Sequence, residues 1–383
     1  MKNILFITGS DKLTGPNKQL INLIETLTTN SNLNINLYIC KIIKDKNKSI
    51  INKLEKIKNL NLIIVNKKIT RNFSFKIFYN LRDIIKLIKL NNYEIIQTSG
   101  FIPDIYIFIL KKFLFKNFCW ITYIRSQVKI EYKIRYQYIY IWKLISFIHQ
   151  FIINSSDKII FVSKAVRNHM CNINKKNFVL YNSLIIEDEK IINKLFINKK
   201  KNNFKKNSKL NIYNFIYVGH FDLLKNPQFL VDFWNYKSIS NSKLNLYGTW
   251  NSSEYLKKIF KTSKNSNNIA IYNFNKRILH QYLNSDIYIS ASKTEGFPNT
   301  IIEALCSGCL CILSNIPPHN EIKEIFPNYI FLYDLNSFNS LDKTIKILFK
   351  KFKEIPKLKI AKESILYFSS KSLSQKYLKI INA

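Results

Sequence analysis

Glu295 and Glu303 stand eight positions apart in SDIYISASKTEGFPNTIIEALCSG, residues 285–308, where an apolar strand runs into a glycine-bearing loop and then an apolar-faced helix. Gly296 and Pro298 allow a sharp turn after Glu295, and Asn299 and Thr300 offer N-capping side chains for the helix that carries Glu303. The unpaired N–H groups and positive dipole end of such a helix favour a phosphate. The two carboxylates repel phosphate and suit the hydroxyl groups of a ribose and a sugar. Together these groups describe a site for a nucleotide sugar.

The elements that must hold this site follow from the glycines, of which the chain has only seven. Gly9, Gly15, Gly100, Gly219, Gly248 and Gly296 each follow an apolar run, and Gly308 sits where a helix must stop. We therefore read them as marking loops at the carboxyl ends of strands, where open α/β sheets bind ligands. Strands are expected at NILFIT, NINLYIC, LNLIIV, EIIQT, FCWITYI, KIIFVS and FVLYN, and again at NFIYVG, KLNLYG, IAIYN, DIYISAS, LCILS and YIFLY. Helical stretches such as KQLINLIETL and HQYLNS alternate with them, which predicts parallel sheets.

A chain of 383 residues exceeds what one core usually holds, so two domains are expected. Residues 1–185 form the first, 186–209 a basic linker, 210–360 the second, and 361–383 a C-terminal helix packing back on the first. Within the linker, residues 190–209 hold eight lysines and no acidic residue. The formal charge of +36 suits nucleic acid, an anionic membrane surface or an acidic substrate, and is equally what a coding bias toward Lys, Asn and Ile produces. MKNILFITGSDK reads as a first buried strand and not as a signal peptide, and six cysteines without a secretory signal suggest reduced thiols in the cytoplasm. Cys306, Cys309 and Cys311 lie on an apolar stretch without a second cluster to complete four ligands, which makes them core residues and not a metal site. Residues 134–153 are apolar, but Arg135, Gln137, Lys143, His149 and Gln150 interrupt them, so a packed or interfacial helix is expected there instead of a membrane span.

Four stretches of the second half carry a family resemblance. These are EGFPNTIIEALCSG with its E-x7-E spacing, CILSNIPPHNEI after it, FIYVGHFDLLKNPQFLVDF with Lys225, and LNLYG with NIAIYNF. The second half thereby resembles the nucleotide-sugar-dependent glycosyltransferases of family 4 (group 1), retaining enzymes of the GT-B architecture, over about residues 212–325. In the first half GSDKLTGPNKQLINL is similar to the family's N-terminal glycine loop and first helix, and FSSKSLSQKYLKII to its crossing C-terminal helix. The implied fold is α/β, with two Rossmann-like domains whose parallel sheets face a central cleft.

The resemblance implies that Glu303 binds ribose, that Glu295 binds the donor sugar and that Lys225 binds the diphosphate. The backbone of Phe297, Pro298, Asn299 and Thr300 would add to the phosphate site, with Gly219 and Gly15 in the two glycine loops. His220 stands where the family usually has an arginine, exchanging a permanent bidentate charge for an imidazole. Asn273 takes a place where glycine is common. Many relatives carry a histidine after the strand that reads WITYIRS here; this chain has Arg125 and Ser126, which are candidates to meet the donor or an acidic acceptor.

These expectations describe a cytoplasmic retaining glycosyltransferase that moves a sugar from a nucleotide sugar to a glycan or lipid-linked acceptor in cell-surface polysaccharide or lipopolysaccharide synthesis. No DxD triplet occurs, and no metal or other cofactor is expected. Residues 105–118, with Lys111, Lys112 and Lys116 among large apolar side chains, could rest on the inner face of an anionic plasma membrane. No specific nucleic acid is expected as a partner. The competing readings are a nucleotide-sugar epimerase on the same scaffold and a non-catalytic basic polyanion-binding protein.

Overall fold

A computed structural model describes residues 2–30, 32–43, 49–64, 73–115, 117–136, 138–170, 176–201, 212–237, 239, 241–249, 253–274, 278–352 and 354–383. The chain divides into one unit of Met1–Ile185 with Ser370–Ala383 and another of Ile186–Ser369.

The first unit contains strands β1 (Lys2–Thr8), β2 (Leu33–Ile39), β3 (Leu60–Ile64), β4 (Ile95–Ser99), β5 (Cys119–Ile124), β6 (Lys158–Phe161) and β7 (Lys176–Val179). Between them run helices α1 (Gly15–Leu27), α2 (Ile51–Leu54), α3 (Phe73–Asn91), α4 (Phe101–Phe113), α5 (Val128–Arg135), α6 (Ile139–Asn154) and α7 (Lys164–Asn168). All strand pairs are parallel, in the order β3-β2-β1-β4-β5-β6-β7. A parallel sheet is covered on both faces, which is why its strands read as nearly unbroken apolar runs; Ile4, Leu5, Phe6 and Ile7 are all buried.

The second unit opens with α8 (Ile186–Lys201), a helix where a linker was expected; the rest of that expected linker, residues 202–209, lies outside the described residues. Its strands are β8 (Tyr213–His220), β9 (Ser242–Thr249), β10 (Ile269–Asn273), β11 (Ile287–Ser290), β12 (Leu310–Ser314) and β13 (Ile330–Tyr333). Its remaining helices are α9 (Pro227–Lys237), α10 (Ser253–Ser263), α11 (Ile278–Asn284), α12 (Asn299–Cys306), α13 (Pro317–Ile325), α14 (Phe338–Phe352) and α15 (Lys357–Phe368). This sheet is also parallel, ordered β10-β9-β8-β11-β12-β13. The expected C-terminal helix is two: α15 stays with the second unit, and α16 (Ser370–Asn382) joins the first. There α16 buries Tyr377 against Phe6, with ring centroids 6.1 Å apart, and Lys158 Nζ donates to the Ile380 carbonyl at 3.1 Å.

Two features of the first unit are unusual. Gly100, at φ +101°, lets α4 start directly after β4, which brings Asp104 of its first turn beneath the ends of β4 and β5. Fully buried there, Asp104 accepts hydrogen bonds from Thr98 and from Thr122 Oγ1 (2.9 Å) and lies 3.0 Å from His149 Nε2, while His149 Nδ1 is 2.8 Å from the Tyr132 hydroxyl. One carboxylate thus ties α4, α5 and α6 to the sheet. The second feature is α6, which turns Ser146 and His149 inward with Ile152 and Ile153 and leaves Tyr140, Leu144, Phe147 and Phe151 exposed in one stripe at helical spacing. Among the described residues no helix is long and apolar enough to cross a membrane.

Candidate functional site

In the second sheet the strand order reverses between β8 and β11. The chain leaves β8 toward β9 on one side and β11 toward β12 on the other, so the loops after β8 and β11 part and open a crevice at the carboxyl ends. Lys225 lies in the first of these loops and Glu295 in the second.

The loop after β8 is shaped by Asp222, whose Oδ1 accepts the backbone N–H groups of Leu224 (2.9 Å) and Lys225 (2.8 Å). Asn226 then turns through φ +51° into α9, a left-handed angle that asparagine tolerates. The Lys293 N–H donates to the Leu224 carbonyl at 2.8 Å, pinning one loop to the other. The Lys225 ammonium consequently meets Glu295 Oε1 directly, and Ser292 Oγ donates to the same oxygen at 2.8 Å. Burial alone would push the Glu295 carboxyl up. The Lys225 charge, the nearby His319 and the hydrogen bonds from Lys225 and Ser292 outweigh it and hold the group below the ordinary carboxylate range.

Glu303 projects from α12, and its charge, like that of Glu295, acts on the buried Tyr288 phenol, which burial, chiefly, pushes up. The expected capping of α12 is not what the structure shows. The N-cap position is Pro298, no side chain caps the helix, and the Thr300 hydroxyl instead lies 2.8 Å from that of Tyr288. With no acidic residue in its first turn, α12 presents an N-terminus whose polarity suits an anion. Phe297 is buried edge-on to Phe368, 6.1 Å between centroids, which fixes the turn into the helix.

The glycines at this edge act by space and not by unusual backbone angles. Gly219 and Gly248 are paired neighbours within β8 and β9, not loop residues as expected. A Cβ on Gly248 would lie 2.2 Å from the Gly219 carbonyl oxygen, and one on Gly219 would lie 2.7 Å from the Tyr217 hydroxyl. That hydroxyl donates to the His220 carbonyl at 2.8 Å, and His220 Nδ1 is 2.7 Å from Thr249 Oγ1. His220 is thus held at the end of β8 with its side chain exposed. Asn273 ends β10, the edge strand, separated from β11 by β9 and β8, and is not brought beside Lys225 and Glu295. Its φ is not positive, so the backbone demands no glycine there.

Gly15, Arg125 and Ser126 belong to the first unit. Gly15 begins α1, behind the Thr14 N-cap. Arg125 follows β5 with its guanidinium 3.9 Å from the centroid of the Tyr123 ring, and among the described residues it forms no ion pair. Ser126 Oγ donates to Glu131 Oε2 at 2.6 Å.

Sequence reasoning missed the layer behind Glu295. His319, in the first turn of α13, is fully buried, with Nδ1 2.8 Å from the Ser314 carbonyl; Ser314 Oγ in turn donates to the Ser292 carbonyl at 2.6 Å. Burial pushes the imidazole down to about 4, against the opposing pull of Glu295, so it is neutral near pH 7. The only signal was its place in IPPHNEI, five residues beyond the end of β12. Cys306, Cys309 and Cys311 are buried nearby, and burial raises their thiols, that of Cys309 to about 12. Among the described residues no three His, Cys, Asp or Glu side chains are grouped to hold a metal ion.

Residues 198–362 match the family model of "Glycosyl transferases group 1". The capsular polysaccharide biosynthesis glycosyltransferase CapH of Staphylococcus aureus is 29% identical over 188 residues, 47% of this chain and 49% of CapH, so the match spans about half of that relative. Among solved structures, Anabaena HepE in complex with UDP superposes with a TM-score of 0.75 at 14% identity, covering 100% of both chains. The lipopolysaccharide outer core galactosyltransferase WaaB, in its apo form, gives 0.72 at 16% identity over 99% of each chain. The fold is that of GT-B enzymes, as expected.

Proposed function

We propose that this chain is a group 1 glycosyltransferase that transfers a sugar with retention from a nucleotide sugar to a glycan or lipid-linked acceptor in cell-surface polysaccharide or lipopolysaccharide synthesis. One observation carries the reading. Lys225 and Glu295, from loops on either side of the strand-order reversal, meet in the segment matched to the family, beside the N-terminus of α12. The relatives' names support the pathway class, CapH acting in capsule synthesis and WaaB on lipopolysaccharide, and HepE was captured with UDP.

In this reading Lys225 and the α12 N-terminus take the diphosphate, Glu295 the donor sugar's hydroxyls and Glu303 the ribose. Gly219 and His220 border the phosphates, and Gly15 lies in the glycine loop of the first unit. Charge grows on the diphosphate as its bond to the anomeric carbon breaks, so a cation and a helix N-terminus lower the barrier more than they stabilise bound substrate. The acceptor oxygen attacks from the face the diphosphate leaves, and its proton passes to the departing phosphate. Arg125, without a carboxylate partner among the described residues, and Ser126 contact the acceptor or the donor sugar. Turnover over a panel of nucleotide sugars tests this; a wild-type protein that neither transfers nor hydrolyses any of them would end the enzyme reading.

The acceptor's lipid brings the enzyme to an anionic bilayer. The expected surface at 105–118 supports this only in part, since Tyr106, Ile107 and Leu110 are buried and Lys111 pairs with Asp157. The stronger support is the exposed stripe of α6, about 17 Å long from Tyr140 to Phe151 at 1.5 Å per residue, with exposed Lys143 on it and Phe113 and Leu114 exposed at the end of α4. Sedimentation with phosphatidylglycerol vesicles is expected to capture the protein, to weaken with salt, and to fail for Leu144→Glu with Phe147→Glu. Equal binding by that double variant would remove α6 from the contact.

A further inference from the structure

The buried imidazole of His319 makes no hydrogen bond to the groups proposed to bind substrate, yet it stands at the head of a hydrogen-bond chain that ends on one of them. Its Nδ1 is 2.8 Å from the Ser314 carbonyl oxygen, which can only accept, so Nδ1 carries the proton and the ring is the Nδ1–H tautomer. Ser314 Oγ donates to the Ser292 carbonyl at 2.6 Å, and Ser292 Oγ donates to Glu295 Oε1 at 2.8 Å. Ser290 Oγ adds a 3.1 Å bond to Ser292 Oγ. The path leads from α13, through the end of β12, into the loop after β11.

Two observations set this histidine apart from a satisfied core residue. His319 is fully buried and its Nε2 has no partner among the described residues, so the position gives up the hydrogen bond that an imidazole can make with its second nitrogen. An apolar side chain of similar size would avoid that cost. What such a side chain would lose is the Nδ1–H donor, and with it the hold on Ser314.

We propose that His319 is a positioning residue for donor transfer, its Nδ1–H fixing the Ser314–Ser292 relay that aims the Glu295 carboxylate. The kinetic part of this role rests on the donor reading given above; the structural part does not. A carboxylate displaced by a fraction of an ångström still binds nucleotide, because Lys225 and α12 are untouched, but meets the reacting sugar poorly.

The test uses His319→Phe, which fills the space without the donor, and His319→Asn, whose Nδ2 is two bonds from Cβ as Nδ1 is and can donate in its place. Hydrogen exchange read by mass spectrometry over 291–298 is expected to quicken in the phenylalanine variant, with β12 and β13 unchanged, and to return toward wild type in the asparagine variant. In turnover, kcat is expected to fall about 10- to 100-fold in His319→Phe with KM for the nucleotide sugar little changed, and the asparagine variant to regain most of it. Should His319→Phe fail to fold, Ser292→Ala breaks the relay without disturbing the imidazole and is expected to give the same split. Wild-type exchange in the phenylalanine variant, or an asparagine variant as impaired as phenylalanine, would overturn the role. A wild-type protein without turnover would sink the donor reading, and the exchange data would still decide the role of His319.

Discussion

Replacing Lys225 with alanine is expected to lower turnover of the nucleotide sugar by about 10²- to 10³-fold, the cost of removing one donor that stabilises a developing anion. The chain supplies few substitutes. His220, where relatives of this kind usually hold an arginine, is an imidazole tied to Thr249, and the α12 N-terminus contributes dipole and N–H groups without a full charge. The same substitution changes the pH response. Burial pushes the Glu295 carboxyl up, and Lys225 is the largest influence holding it down. A carboxylate with a depressed pKa keeps its charged-state contribution above its unfolded value and loses it as pH falls through the lower folded value. In Lys225→Ala burial faces less opposition, so the acid limb of the pH–rate profile is expected at higher pH than in wild type. An unchanged acid limb, measured on kcat/KM, would separate Glu295 from the chemistry.

The largest loss of stability is expected from Asp104→Ala, about 3–5 kcal/mol in the first unit, followed by urea denaturation. Asp104 is fully buried and gathers Thr98, Thr122 and His149, so its removal strands two hydroxyls and an imidazole nitrogen without an acceptor. Asp104→Asn keeps an acceptor for the threonines and can donate to His149 Nε2 once the ring shifts to the Nδ1–H tautomer, with Nδ1–H donating to the Tyr132 oxygen, and is expected to cost about 1 kcal/mol. Because Tyr132 hangs from the same imidazole, the alanine variant is also expected to loosen α5 and α6 before the sheet. Equal losses in the two variants would mean that packing and not hydrogen bonding holds this cluster.

The strands of both sheets were legible in the sequence because a strand covered on both faces must be apolar throughout, and short apolar runs followed by glycine leave little else to form. The strand, loop and helix around Glu295 and Glu303 were legible for the same reason. What lay beyond reach were relations that tertiary contact alone creates. Lys225 and Glu295 are 70 residues apart, and only the order of β8 and β11 puts them together. Gly248 reads like a loop glycine, yet the demand on it comes from the carbonyl of a neighbouring strand. Thr300 has the side chain of a helix cap and was turned to Tyr288 instead. His319 carried no pattern, since a buried histidine and an exposed one look alike in a chain. The apolar run over α6 could be seen in advance, but not that Ser146 and His149 would face inward while Tyr140, Leu144, Phe147 and Phe151 stayed exposed.

The most direct measurement is calorimetric titration of nucleoside diphosphates, uridine and guanosine forms among them, into the wild-type chain and into Lys225→Ala and Glu303→Ala. The site at the β8 and β11 loops predicts saturable binding of at least one of them by the wild type, weakened at least about tenfold in each variant, a difference of 1.4 kcal/mol or more. Binding of equal strength in all three proteins would place the nucleotide elsewhere and contradict the assignment.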